Sequence, residues 1–169
     1  MKAPGSVVVS SLEGHAAAAA RAAGARRAGV RSGTPRRTVL GADYNRVCLL
    51  LAVLEKRAGV PLGSQDVFVN VAGGGRVTEP AADLGIVVAA ASSYMDRRRC
   101  RRTSSSVGEV GLTGEVRAVA GLELRLREAA ALGFRRAIVP QSNVLEPPKV
   151  SLDVRGVATV GDALTALLG

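Results

Sequence analysis

The sequence predicts an α/β or α+β fold, a mixed sheet with packed helices, and three observations carry that reading. Short β-branched segments interleave with segments of helical period, which builds mixed layers rather than a bundle or a sandwich. Residues 82–91 are almost wholly apolar and small, as suits a helix buried against a sheet. Aromatic residues make up 2% of the chain and Trp is absent, although 47% is hydrophobic, so the core is built from Val, Leu, Ile and Ala. The 169 residues suit one domain with an appended arm.

Residues 6–12 (SVVVSSL) read as a first strand. Residues 15–31 are low-complexity Ala and Arg, and local propensity predicts helix there, weakened at Gly24 and Gly29. The organisation is therefore an N-terminal strand and Ala/Arg-rich arm over 1–32, then the main domain over 33–169. Gly33, Thr34 and Pro35 form a turn before the basic pair Arg36 and Arg37. Asp43 can cap a helix whose Val47, Leu50, Leu51 and Leu54 recur at helical spacing, with Gly59 and Pro61 ending it.

The centre of the chain is residues 65–93. Val67, Val69 and Val71 alternate with Phe68 and Asn70 as in a half-buried strand. Gly73, Gly74 and Gly75 break it, and a helix follows with Thr78 as candidate cap, Pro80 in its first turn, and Glu79 and Asp83 as dipole charges. Residues 96–103, rich in Arg, and the serines after them read as a solvent loop. Residues 109–112 and 115–119 flank Thr113-Gly114 as a hairpin. Residues 121–132 form a helix with Leu122, Leu126, Ala129 and Ala130 on one face and Glu123–Arg127 as an i,i+4 pair. A strand at Arg136, Ala137, Ile138 and Val139 closes at Pro140, a last strand falls within 150–157, and a final helix spans 160–168, capped near Gly161 or Asp162.

Net charge is +9 with Arg dominant, which favours polyanion partners through phosphate neutralisation. Almost no aromatic side chains are available to stack on bases, so any contact is expected to be backbone-directed and weak for single strands. No apolar run reaches the ~18 residues of a membrane span, and the N-terminus lacks a signal-peptide pattern. Cys48 and Cys100 belong to no CxxC pair and read as reduced thiols of a cytoplasmic protein. His15, the only histidine, has no catalytic or metal partner at recognisable spacing. The glycine run is not a phosphate loop, and no zinc pattern occurs.

The order VFVN, glycine turn, TEPAADL, GEVGLTGEVRAV, GLELRLREAAALGFRRAIVP and VGDALTALL resembles the C-terminal Lon-protease-like domain of the bacterial DNA repair family RadA (Sms). The likeness runs from about Gly33 to the end, with a weaker echo at PGSVVVSSLEG. It implies the Lon proteolytic-domain fold, similar to the second domain of ribosomal protein S5. Lon peptidases need a serine hydroxyl and a lysine amine to act together. The matching positions here carry Ala81 and Glu123, so the resemblance implies a non-catalytic domain.

It further implies an oligomerisation scaffold, homo-oligomeric and ring-forming, that contacts DNA and works with recombination proteins and without a membrane. Full-length members are ATP-dependent DNA translocases promoting branch migration. ATP, magnesium and zinc belong to their upstream domains, so no cofactor is expected in this chain. The candidate DNA-binding residues are Arg36, Arg37, Arg97, Arg98, Arg99, Arg101 and Arg102. Two other readings stand beside this one: a diverged Lon-type serine peptidase, and a purely structural oligomerisation module.

Overall fold

A computed structural model describes residues 6–11, 14–23, 34–72, 76–95, 104–144 and 149–168. In chain order these form β1 (Ser6–Ser11), β2 (Gly14–Ala23), β3 (Arg37–Leu40), α1 (Tyr44–Ala58), β4 (Asp66–Ala72), α2 (Asp83–Tyr94), β5 (Ser104–Ser106), β6 (Glu109–Val110), β7 (Val116–Arg117), α3 (Leu122–Ala131), β8 (Arg136–Pro140), β9 (Asp153–Val157) and α4 (Val160–Leu168). The class is mixed α/β, as the interleaved pattern predicts.

Seven strands make one sheet in the order β3-β4-β2-β1-β5-β8-β9, and β6 and β7 pair separately as a hairpin. The sheet is mixed. β2 runs antiparallel to both β1 and β4, while β3–β4, β1–β5, β5–β8 and β8–β9 are parallel. Parallel neighbours need a crossover, and α1 supplies it for β3–β4 and α3 for β5–β8.

Helix α1 starts where Asp43 Oδ1 accepts the Arg46 N–H at 2.7 Å, and ends at Gly59 in the left-handed conformation, φ 67°. Its stripe of Val47, Leu50, Leu51 and Leu54 is buried. Helix α2 is buried along residues 83–92 without a polar side, which is what its small apolar residues allow. α1, α2 and α4 share one core with Val67, Val69 and Ile138 on one face of the sheet. On the other face α3 sets Leu122 and Leu126 against Ala137 and Val139.

Several expectations are corrected. Within the Ala/Arg run, Gly14–Ala23 is a strand, not a helix, because β1 on one side and β4 on the other satisfy its backbone. Alanine's helix propensity, a few tenths of a kcal/mol per residue against most neighbours, does not outweigh that pairing (order of magnitude). The serines expected in a solvent loop form β5, an interior strand between β1 and β8, with Ser105 and Ser106 buried. Strand β3 begins at Arg37, the second residue of the basic pair, where the sequence suggested only a turn.

Thr78 does not cap α2. A 3-10 turn, Pro80–Ala82, precedes that helix, and neither has a side-chain cap. The hairpin turn has three residues, not two: Gly111 N donates to Glu115 O at 2.9 Å, and Gly114 takes φ 87°. Helix α4 is capped by Thr159, whose hydroxyl accepts the Asp162 N–H at 3.2 Å while Asp162 accepts the Thr159 N–H at 3.0 Å. Gly73, Gly74, Gly75, Cys100 and the arginines from Arg97 to Arg102 lie outside the described residues.

Candidate functional site

The turn before α2 and the start of α3 come together, and they carry the two positions matched to the Lon dyad. Ala81 is buried beside Val107, Leu122 and Leu126, and its carbonyl accepts the Gly108 N–H at 2.9 Å. Glu123 directly follows Leu122 on α3, but its carboxylate is exposed and accepts from Arg127 Nη2 at 2.6 Å. A methyl group and a solvated carboxylate offer no nucleophile and no amine at these positions. Lys56 and Lys149 are exposed.

Two ion pairs frame the turn, and neither was legible in the sequence. Arg125, which reads as a surface residue of an amphipathic helix, is buried within α3. Both its terminal nitrogens donate to Glu79, and its Nε donates to the Ala120 carbonyl at 3.0 Å. Glu79 therefore belongs to Arg125 rather than to the dipole of α2. Asp83 does stand in the first turn of α2, and Arg46 from α1 grips it through Nε at 3.1 Å and through Nη2. The Val110 N–H reaches the same carboxylate at 3.1 Å, and Arg46 Nη2 continues to the Val110 carbonyl at 3.2 Å.

Burial pushes the Asp83 carboxyl above its ordinary range, against the opposing pull of Arg46 and the Val110 N–H. The Arg46 guanidinium is correspondingly raised by its bond to Asp83. A carboxylate held by a two-nitrogen guanidinium fork is an ion pair that burial weakens without abolishing. Beside it, Ala42, Asp43, Arg46, Thr78, Glu79 and Pro80 line a cleft of about 220 Å³. With Glu79 and Asp83 engaged by guanidinium groups, the arrangement clamps α1, α3 and the β6–β7 hairpin onto the turn.

The basic residues fare differently from one another. Arg37 is half-buried and donates to the carbonyls of Leu62, at 2.9 Å, and Gln65, so its guanidinium ties β3 to the loop before β4. Arg36 has an exposed side chain, and its backbone N–H donates to Asp66 Oδ1 at 2.8 Å. Cys48 is a free, half-buried thiol on α1. Among the described residues no three His, Cys, Asp or Glu side chains group as metal ligands, and no helix is long and apolar enough to cross a membrane.

Residues 33–143 match the family model described as subunit ChlI of Mg-chelatase. The chain is 50% identical over 139 residues to the DNA repair protein RadA of Halalkalibacterium halodurans and, equally, to that of Bacillus subtilis, covering 81% of this chain and 30% of each relative. The RadA protein of Listeria monocytogenes is 47% identical over 138 residues, 80% of this chain and 30% of its own length. The chain thus spans about 30% of the length of these relatives.

Proposed function

As the chain belongs to the family described as subunit ChlI of Mg-chelatase and corresponds to part of the RadA proteins it matches, we propose that it is the Lon-like domain of a RadA-type DNA repair and recombination protein. In this reading it is non-catalytic and acts as an oligomerisation scaffold and DNA-contacting module. The observation that carries it is identity at half of 139 aligned positions with proteins named for DNA repair. Ala81 and Glu123 at the dyad positions, with the surrounding acids held in ion pairs, support a holding role rather than a cutting one. The ATP-driven work of the RadA family belongs to segments outside the match.

The test is salt-dependent duplex binding by the 169-residue chain, followed by light scattering for its oligomeric state. Duplex affinity should fall steeply with added salt, and changing Arg97, Arg98, Arg99, Arg101 and Arg102 together to Ala should abolish most of it. Unchanged affinity in that variant removes these arginines from the proposal. A ring-sized species with no DNA affinity leaves only the scaffold role. Cleavage of unfolded casein, with labelling by a serine-reactive probe, overturns the non-catalytic reading.

A further inference from the structure

One edge of the sheet is basic where its last two strands begin. β9 is the edge strand, and its register with β8 sets Asp153 beside Arg136 and Arg155 beside Ile138. Side chains alternate along a strand, so Arg136, Asp153 and Arg155 share the face on which Ile138 and Val157 enter the core. Strand spacing and rise put the backbones of Arg136 and Arg155 on a diagonal of about 8 Å, with Asp153 at the corner between them. Arg136 Nε donates to Asp153 Oδ2 at 2.8 Å, and its two terminal nitrogens have no partner among the described residues. The Arg155 and Arg135 side chains are exposed and have no hydrogen-bond or ion-pair partner among the described residues. Arg135 is tied to the same edge by its carbonyl, which accepts the Asp153 N–H at 2.9 Å. Three guanidinium groups thus stand against one carboxylate, and these charges lie on the surface itself.

We propose that this edge grips the phosphate backbone of duplex DNA, with Arg136 and Arg155 as the clamp and Asp153 as a built-in counter-charge that holds the Arg136 fork in place and tempers its affinity. The edge is a second surface, separate from Arg36, Arg37 and residues 97–102, and its role rests on the reading that this chain meets DNA. A free pair of terminal guanidinium nitrogens is the donor set that bonds two oxygens of one phosphate. Asp153 works against that contact as well as orienting it. Carboxylate and phosphate oxygens take the same N–H groups, and the carboxylate charge repels an approaching phosphate. A duplex presents one charge per about 1.7 Å of its axis, and no ring stands among these four side chains to hold an unpaired base. Forks and charge do the recognising, so contact follows the backbone and is blind to sequence.

The experiment measures fluorescence anisotropy of two labelled duplexes of unrelated sequence across a salt series, with the 169-residue chain and with Arg136→Ala, Arg155→Ala and Asp153→Asn. Arg155 has no partner among the described residues to lose, so Arg155→Ala keeps the test open should Arg136→Ala fail to fold. Each arginine variant should weaken both duplexes alike, on the order of tenfold at about 0.1 M salt, and flatten the slope of log affinity against log salt by about 0.9. Asp153→Asn keeps an oxygen for Arg136 Nε and loses the charge. It should bind about 3-fold tighter, the effect of one unit charge about 6 Å away in water. Unchanged affinity and slope in both arginine variants overturns the clamp, as does a loss confined to one of the duplexes. Weaker binding by Asp153→Asn overturns the tempering role. Loss of self-association with duplex binding intact would make the edge a contact between copies and overturns the clamp too. Should the variant at Arg97 to Arg102 lose duplex binding while the edge variants are silent, only the clamp fails; should the wild type bind no duplex, both readings fail.

Discussion

Arg125 and Glu79 stand 46 residues apart in sequence and meet as a fork-to-fork ion pair, with the arginine side chain fully buried and the glutamate 27% exposed. A buried guanidinium is tolerated only when paired and hydrogen-bonded, and this one also bonds the Ala120 carbonyl. Glu79→Ala should therefore cost about 3 kcal/mol of stability, since it strips a buried charge of its carboxylate. Glu79→Leu combined with Arg125→Met should cost less than Glu79→Ala alone. Urea denaturation of the three variants measures both; a loss well under 1 kcal/mol (order of magnitude) in the single variant would show the arginine finds water instead.

Glu115 provides the pH prediction. The Thr113 hydroxyl, a backbone N–H and Arg117 bond its carboxylate and hold its pKa at about 2, below the ordinary 4.5. A depressed folded pKa means its contribution is complete above 4.5 and is lost as pH falls toward about 2. Carboxyl NMR titration should find Glu115 still ionised at pH values where ordinary glutamates are protonated. Thr113→Val should move its midpoint back up, and a midpoint near the ordinary value in the unmodified chain contradicts the hydrogen-bond account.

Ser104 brings a hydroxyl into the sheet interior that has no hydrogen-bond partner among the described residues. An unsatisfied buried polar group costs about 1–3 kcal/mol. Ser104→Ala should accordingly raise stability by about 1 kcal/mol, seen as a higher urea midpoint at unchanged slope. Destabilisation would mean the hydroxyl is bonded.

Gly114 and Gly59 both adopt positive φ, at 87° and 67°. A side chain at either costs about 1–2 kcal/mol for the left-handed backbone. At Gly114 a new Cβ would also lie 3.0 Å from Arg57 Cβ, whereas Gly59 faces open space. Gly114→Ala should thus lower the melting temperature more than Gly59→Ala. The reverse order would place the strain elsewhere in the hairpin.

The fold was legible wherever a signal is local. Asp43 as cap, the stripe from Val47 to Leu54, the alternation at Val67, Val69 and Val71, and the Glu123–Arg127 pair all lie within a few residues of their partners. Where the deciding partner is distant, local reading failed. Alanine-rich Gly14–Ala23 is a strand because β1 and β4 flank it, and a row of serines is an interior strand because β1 and β8 do. Arg125 carries the same local signature as the exposed Arg127, and only the approach of Glu79 makes one buried and the other solvated.

The sequence by itself determined the α/β class and the family to which the chain belongs. Tertiary structure alone decided which acids are bound to which arginines and which face of the sheet is left open with Phe68 on it. The reason is physical. Residue identity and short spacing write the chemistry and the period of each element, but burial and ion pairing depend on which distant segments the sheet order sets side by side.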